Sequence, residues 1–132
     1  MAREATAEVR VRYPEVDRMG VAHHRIHFVW FEIGRTELLR QAGLPYAEVE
    51  REGIYLPVIA ASCAYHAPAR YDELLSVRAT LSTMSAARAT FAYRIERTAD
   101  GALLADGSTT HAAIDATGRP RRLPESLRRL LA

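Results

Sequence analysis

At 132 residues, 48% of them hydrophobic and 26% charged, the chain is long enough for one domain with a core of its own and too short for several. Eighteen basic and 16 acidic residues are interspersed to a formal net charge of +2, with no DNA- or RNA-binding motif, which argues against nucleic acid as a partner. No apolar run approaches the ~20 residues of a membrane span, the charged and alternating first ten residues are unlike a signal peptide, and a single cysteine allows no internal disulfide; the expected setting is the cytoplasm.

Residues 6–13 alternate, with Val9, Val11 and Tyr13 on one face and Glu8, Arg10 and Arg12 on the other, which predicts a half-buried strand ended by Pro14. Met19 and Gly20 belong to a turn in which Gly20 is expected to take a positive φ. From Ile26 a long helical stretch runs to Gly43, which is placed to cap it. Ile26, Phe28, Val29, Trp30, Phe31, Ile33, Leu38, Leu39 and Ala42 take up most of its circumference, so the helix is expected to be buried. A connecting segment follows, carrying Pro45 and the acidic stretch 48–52. Residues 54–66 form an apolar run that reads as a strand. Leu75, Val77, Ala79 and Leu81 then alternate with Ser76, Arg78, Thr80 and Ser82, and Phe91, Tyr93 and Ile95 repeat the pattern. Asp100-Gly101 supplies a hairpin turn into a strand over 103–115; residues 115–120 close it, and 124–131 predict a short terminal helix. No repeat or linker divides the chain, so residues 1–132 read as a single domain. One strand, one central helix and a run of antiparallel strands describe an α+β fold in which a sheet wraps around a hydrophobic helix.

The stretch that carries chemistry is Arg12-Tyr13-Pro14-Glu15-Val16-Asp17-Arg18-Met19-Gly20-Val21-Ala22-His23-His24, where a strand runs into a carboxylate and then into an apolar helix. A helix start offers unpaired N–H groups and partial positive charge. A carbonyl oxygen held there is polarised where a carboxylate could attack its carbon, which suggests acyl transfer and, most simply, hydrolysis. The commonest use of an aspartate before a helix is to bond nearby backbone N–H groups, and the local pattern alone favours that structural role for Asp17. His23 and His27 have the spacing of two metal ligands on a helix, but position 24 is not the glutamate of the zinc-protease motif and no third ligand is evident, so no metal is expected. Cys63, among apolar neighbours, reads as a small buried hydrophobe. His66 and His111 read as structural, and Glu32, Arg35 and Glu37 lie at spacings where helical ion pairs form. All 18 basic residues are arginines, a bias that genome composition explains more simply than function.

Arg12-Tyr13-x-Glu15-x-Asp17-x-Met19-Gly20-Val21-x-His23-His24, followed by Trp30-Phe31-Glu32-x-Gly34-Arg35-x-Glu37-x-Leu39-Arg40, resembles the 4-hydroxybenzoyl-CoA thioesterase family of hotdog-fold proteins. Tyr65-x-x-Pro68-Ala69-Arg70-Tyr71-Asp72-Glu73-Leu74 and the Phe91-x-Tyr93-x-Ile95 strand extend the resemblance to nearly the whole chain. In detail it is most similar to the bacterial acyl-CoA thioesterase branch with Tol-Pal-associated members.

The resemblance implies a curved antiparallel sheet around a long central helix, in a homo-oligomer, a dimer or tetramer, whose protomers pair to extend their sheets and whose active sites form at the dimer interface. It implies an acyl-CoA substrate and no metal or redox cofactor. Asp17 matches the catalytic carboxylate, as nucleophile through a mixed anhydride or as general base on water. The backbone N–H of His24 matches the donor to the thioester oxygen, and the His24 side chain is expected to assist. Tyr13, Gly20 and His27 are expected to line the pocket, His27 departing from the tyrosine common in relatives. Arg88 heads the arginines expected to meet coenzyme A phosphates, ahead of Arg70, Arg119, Arg121 and Arg122. Trp30, Phe31, Val58 and Tyr65 are further lining candidates. Another hotdog lineage carries its catalytic glutamate on the central helix, which makes Glu32 and Glu37 second candidates. The rival reading is a non-catalytic hotdog module that binds an acyl-CoA or acyl carrier protein; a hotdog dehydratase is less fitting, because the candidate acid here precedes the helix.

Overall fold

A computed structural model describes residues 3–131. Its five strands are β1 (Glu4–Arg10), β2 (Val58–Tyr65), β3 (Leu74–Met84), β4 (Arg88–Arg97) and β5 (Leu103–Ala112), and its main helix is α1 (Ile26–Gln41). They form one antiparallel sheet in the order β1-β3-β4-β5-β2, with α1 packed on it. This is the hotdog arrangement. Among the described residues no helix is long and apolar enough to cross a membrane.

The period of two in the sequence sets the sheet. Leu75, Val77, Ala79 and Leu81 on β3 and Phe91, Tyr93 and Ile95 on β4 are buried, with their neighbours in sequence turned outward. Helix α1 lays Ile26, His27, Trp30, Phe31, Gly34, Leu38 and Leu39 on that face. Gly34 lets the two approach closely, since a Cβ there would sit 2.9 Å from Val77 Cγ1. Phe31 stacks on Tyr93 with ring centroids 4.4 Å apart and planes 7° from parallel. The helix ends as expected: Gly43 has φ +79°, and the N–H groups of Gly43 and Leu44 return to the carbonyls of Arg40 and Leu39 in a Schellman closure.

A chain of polar groups crosses the same interface. Arg35 Nη1 donates to Tyr93 Oη (3.1 Å), Tyr93 Oη lies 2.6 Å from Thr109 Oγ1, Thr109 Oγ1 lies 2.8 Å from His111 Nε2, and His111 Nδ1 faces the Leu56 carbonyl at 2.8 Å. Every buried member has a partner, which is the condition for tolerating polar atoms in a core. His111 is therefore the structural histidine expected of it, and burial holds its pKa down. Arg35 also lies 3.9 Å from Glu32, and Arg40 pairs with Glu37.

Several elements differ from their sequence pattern. Strand β1 ends at Arg10, residues 13–15 form a 3-10 turn, and Tyr13 stands 75% exposed instead of facing the core. The connection after Gly43 contains a short helix, α2 (Tyr46–Arg51). The apolar run 54–66 divides: Ile54 and Leu56 are buried, whereas β2 is exposed from Val58 to Ser62 and again at Ala64 and Tyr65. Cys63, on that strand, is only half-buried. Helix α1 is not covered all round either, since Val29 and Ile33 are exposed. For β2 the reason is topological. β2 is an edge strand bonded only to β5, so its other edge has no strand against it among the described residues. The terminal helix, α3 (Glu125–Arg128), continues as a 3-10 turn over Arg129–Leu131, and Leu127 and Leu130 pack on the body.

Candidate active site

Between β1 and α1 the chain makes a small hairpin. Val16 and Ala22 form an antiparallel bridge, Asp17 N–H donates to the Val21 carbonyl (2.9 Å), and Gly20 N–H returns to the Asp17 carbonyl (3.0 Å). The hairpin is moored to two other segments. Ala22 N–H donates to the Ala69 carbonyl at 2.7 Å, and His23 N–H donates to the Glu15 carbonyl at 2.9 Å. Glu15 is itself buried, its Oε1 accepting the Arg12 N–H at 2.7 Å in a capping box.

Asp17 sits at the exposed tip. Its Oδ1 accepts from Met19 N–H (2.8 Å) and, at longer range, Val21 N–H (3.4 Å). The aspartate thus forms the turn that the local pattern predicts, with only one of its oxygens. Oδ2 has no partner among the described residues, so the carboxylate is oriented and still has an oxygen available for chemistry. Tyr13, Val16, Arg18, Gly20 and Tyr71 share with Asp17 a concavity of about 450 Å³, and the rings of Tyr13 and Tyr71 meet edge to face at 5.7 Å. Gly20 has φ +78°, and a Cβ added there would meet nothing within 4 Å, so its requirement is conformational. Gly20→Val is expected to cost about 1–2 kcal/mol or more through left-handed strain alone, read as a lowered unfolding midpoint; wild-type stability would refute this.

Next to the hairpin, the turn into α1 uses most of its backbone groups. The His23 carbonyl accepts from Ile26 N–H (3.0 Å), and Arg25 N–H donates to His23 Nδ1 (3.2 Å). The His24 carbonyl accepts from Tyr65 Oη at 2.7 Å and faces His27 Nδ1 at 3.3 Å. The N–H of His24 has no partner among the described residues. It stands at the start of a 16-residue helix, where an anion is favoured. A second cavity, about 330 Å³, opens here, lined by Ala22, His24, His27, Tyr65, His66 and Ala67 to Ala69. His24 is exposed, its ring 4.2 Å from that of His23. His27 is 3% exposed and its pKa is lowered by burial, against the opposing pull of its backbone contact with His24. A neutral ring that donates through Nδ1 leaves Nε2 as an acceptor. His66, at the rim, faces Asp106 at 3.2 Å.

Asp17, Gly20 and Tyr13 line one concavity, and His24 and His27 line the other. Arg88 is elsewhere. It begins β4, whose other end, Arg97, pairs beside Leu75, so ten residues of strand, roughly 30 Å, lie between Arg88 and the Asp17 end. Trp30 and Phe31 are core, Val58 borders a cavity beside Glu32 and Arg35, and Tyr65 reaches the helix start. The described residues contain no cluster of three His, Cys, Asp or Glu groups of metal-binding geometry. Tyr71 and Glu15 have places at the site that the sequence pattern left without a role. Glu15 had a signal, since it stands three residues after Arg12 as a capping box requires; Tyr71 had none.

Residues 11–131 match the thioesterase-like superfamily. The acyl-CoA thioester hydrolase YbgC of Escherichia coli O157:H7 is 30% identical over 120 residues, covering 90% of this chain and 89% of its own. Among solved structures, the hypothetical protein TT1821 of Thermus thermophilus has 41% identity and a TM-score of 0.88 over 97% of this chain and 95% of its own. The DHNA-CoA thioesterase of Staphylococcus aureus has 29% identity and a TM-score of 0.91 over 97% and 91%.

Proposed function

The chain belongs to the thioesterase-like superfamily, and from that premise we propose that it hydrolyses an acyl-CoA to the free acid and CoA, with Asp17 as the reacting carboxylate and the His24 N–H as oxyanion donor. At the level of the family and its relatives, the protein is an acyl-CoA thioester hydrolase of the hotdog fold. For the roles of Asp17 and His24, the supporting observation is the unused His24 N–H in a turn, residues 23–26, whose other backbone N–H groups all have partners. A thioester oxygen seated on it would gain charge as the carbonyl carbon becomes tetrahedral, and a fixed N–H at a helix start stabilises that charge without reorganising.

Asp17 Oδ2 supplies the other half by either of two routes. As nucleophile it bonds to the carbonyl carbon, the C–S bond breaks, the CoA thiolate leaves, and water hydrolyses the mixed anhydride. As general base it takes a proton from water, whose oxygen adds to the carbon before the same thiolate leaves. Tyr13 and Gly20 border the carboxylate and His27 borders the oxyanion donor, so these three shape the pocket in this reading. Arg88, at the far end of the sheet, would meet the CoA phosphates only from another protomer.

The site is completed by a second copy. β2 offers a free edge with Val58 and Ile59 exposed on it, and an apolar edge of this kind is a pairing surface. Pairing β2 with β2 extends the sheet, giving a homodimer or tetramer. Light scattering is expected to return at least twice the 14.7 kDa of one chain; an active species of 14.7 kDa would contradict the shared site.

The activity is tested by thiol release from benzoyl-, hydroxybenzoyl-, short-chain and long-chain acyl-CoAs. Turnover with any of them supports the enzyme and narrows the acyl group. Tight binding without turnover across the panel would favour the rival binding module.

A further inference from the structure

We infer that Tyr65 and His27 are positioning residues that clamp the His24 carbonyl and so aim the neighbouring N–H at the thioester oxygen; this rests on the His24 N–H being the oxyanion donor. The residue before α1, Arg25, has helical conformation and no side-chain cap of its own, and the one local side-chain contact on this turn is Arg25 N–H donating to His23 Nδ1 at 3.2 Å. Beyond that contact, the carbonyl of the peptide between His24 and Arg25 depends on partners from elsewhere to fix it. Here the peptide that follows His24 is held from outside. Tyr65, 41 residues away on β2, donates its phenol O–H to the His24 carbonyl at 2.7 Å, and His27 Nδ1 lies 3.3 Å from the same oxygen.

The clamp is itself braced. The rings of His27 and Tyr65 meet edge to face at 4.7 Å and 89°, and the other neighbour of His27 is Trp30, 5.1 Å away and 1% exposed. A line of aromatic rings thus runs from the core to the carbonyl oxygen. The phenol of Tyr65 is the donor in this contact, since a carbonyl oxygen only accepts. On the other side, the peptide preceding His23 is fixed by its N–H on the Glu15 carbonyl, and the His23 carbonyl is fixed by Ile26 N–H. With both flanks held, the two backbone torsions of His24 have little freedom, and the direction of its N–H is set before substrate arrives. Such pre-orientation contributes to rate when the oxyanion forms and little to ground-state binding.

Tyr65→Phe tests this, because it keeps the ring and removes only the O–H. The expected result is a kcat roughly ten-fold lower with KM within about two-fold and an unchanged unfolding midpoint. Two CoA analogues separate positioning from general damage. A thioether analogue, which has no oxygen to polarise, is expected to bind wild type and variant alike. A trifluoromethyl ketone analogue, bound as its tetrahedral hydrate, is expected to lose affinity by about the factor lost in kcat/KM. A wild-type kcat in Tyr65→Phe would overturn the clamp, as would equal losses for both analogues, which would make Tyr65 a binding or structural group. If Tyr65→Phe lowers the unfolding midpoint, the analogue comparison at a temperature where the variant is folded decides on the same terms. A wild-type protein that releases no thiol would overturn both this inference and the reading it rests on.

Discussion

Asp17→Asn is expected to lower thiol release by about a thousand-fold, the range for losing a nucleophile or general base, while acyl-CoA binding and the fold are retained. The substitution suits the question because of how the carboxylate is used. Oδ1 holds the hairpin through Met19 and Val21 N–H, and the amide oxygen of asparagine can accept the same bonds. The amide nitrogen then takes the place of Oδ2, the oxygen without a partner among the described residues. It can neither attack a thioester carbon nor accept a proton from water, so both routes stop with the turn intact. A thousand-fold loss corresponds to about 4 kcal/mol of transition-state stabilisation, more than a small shift of an exposed loop would give. The measurement pairs steady-state thiol release with binding of a thioether acyl-CoA analogue. Turnover near wild type would remove Asp17 from the chemistry and leave it as the turn aspartate that its Oδ1 contacts already make it.

The central sheet was legible in the sequence, and so was the outer strand as a strand, but not how far that strand lies open. Alternation in β3 and β4 reports one face against α1 and one turned outward, which the local pattern encodes directly. Gly43 was legible for the same kind of reason, because a positive φ at a helix end selects for glycine. β2 misled because apolar content marks a surface that will be covered without saying by what. Val58 and Ile59, within the apolar run, are exposed in a single chain, as are Val29 and Ile33 of the helix expected to be buried, and apolar exposure of this kind is expected where a second copy supplies cover. Tyr13 misled differently: Pro14 draws it into a 3-10 turn and away from the face that the alternation assigned to it. At the site, Asp17 and His24 were picked out by resemblance to a family, since the local pattern favoured a turn aspartate. The contact from Tyr65 to His24 spans 41 residues and has no periodic signature. The outer strand thus carries both the proposed pairing surface and the proposed brace on the oxyanion turn.

That double load makes Gly107 the position where a single methyl group should do most harm. Gly107 lies within β5, opposite Tyr93 on β4 and Cys63 on β2. A Cβ there would fall 2.1 Å from the Ser62 carbonyl oxygen and 2.9 Å from Phe31 Cε2. Neither neighbour yields easily. The oxygen is backbone in β2, and Phe31 is fully buried and stacked on Tyr93. Gly107→Ala must therefore push β2 off β5 or push Phe31 into the helix–sheet interface, and overpacking of this kind costs about 3 kcal/mol. For a chain of this size that is roughly a 10 °C fall in unfolding midpoint. The contrast with Gly20, which has open space and only an unusual φ, separates a packing cost from a torsional one. If β2 is what moves, the loss will not be confined to stability: Tyr65 moves with it, and so does the edge proposed to pair with a second copy. Thermal unfolding, light scattering and kcat on Gly107→Ala should then decline together. An unchanged midpoint would mean that β2 and Phe31 can yield where their geometry says they cannot. A lowered midpoint with wild-type kcat and mass would locate the strain at Phe31 and exempt β2.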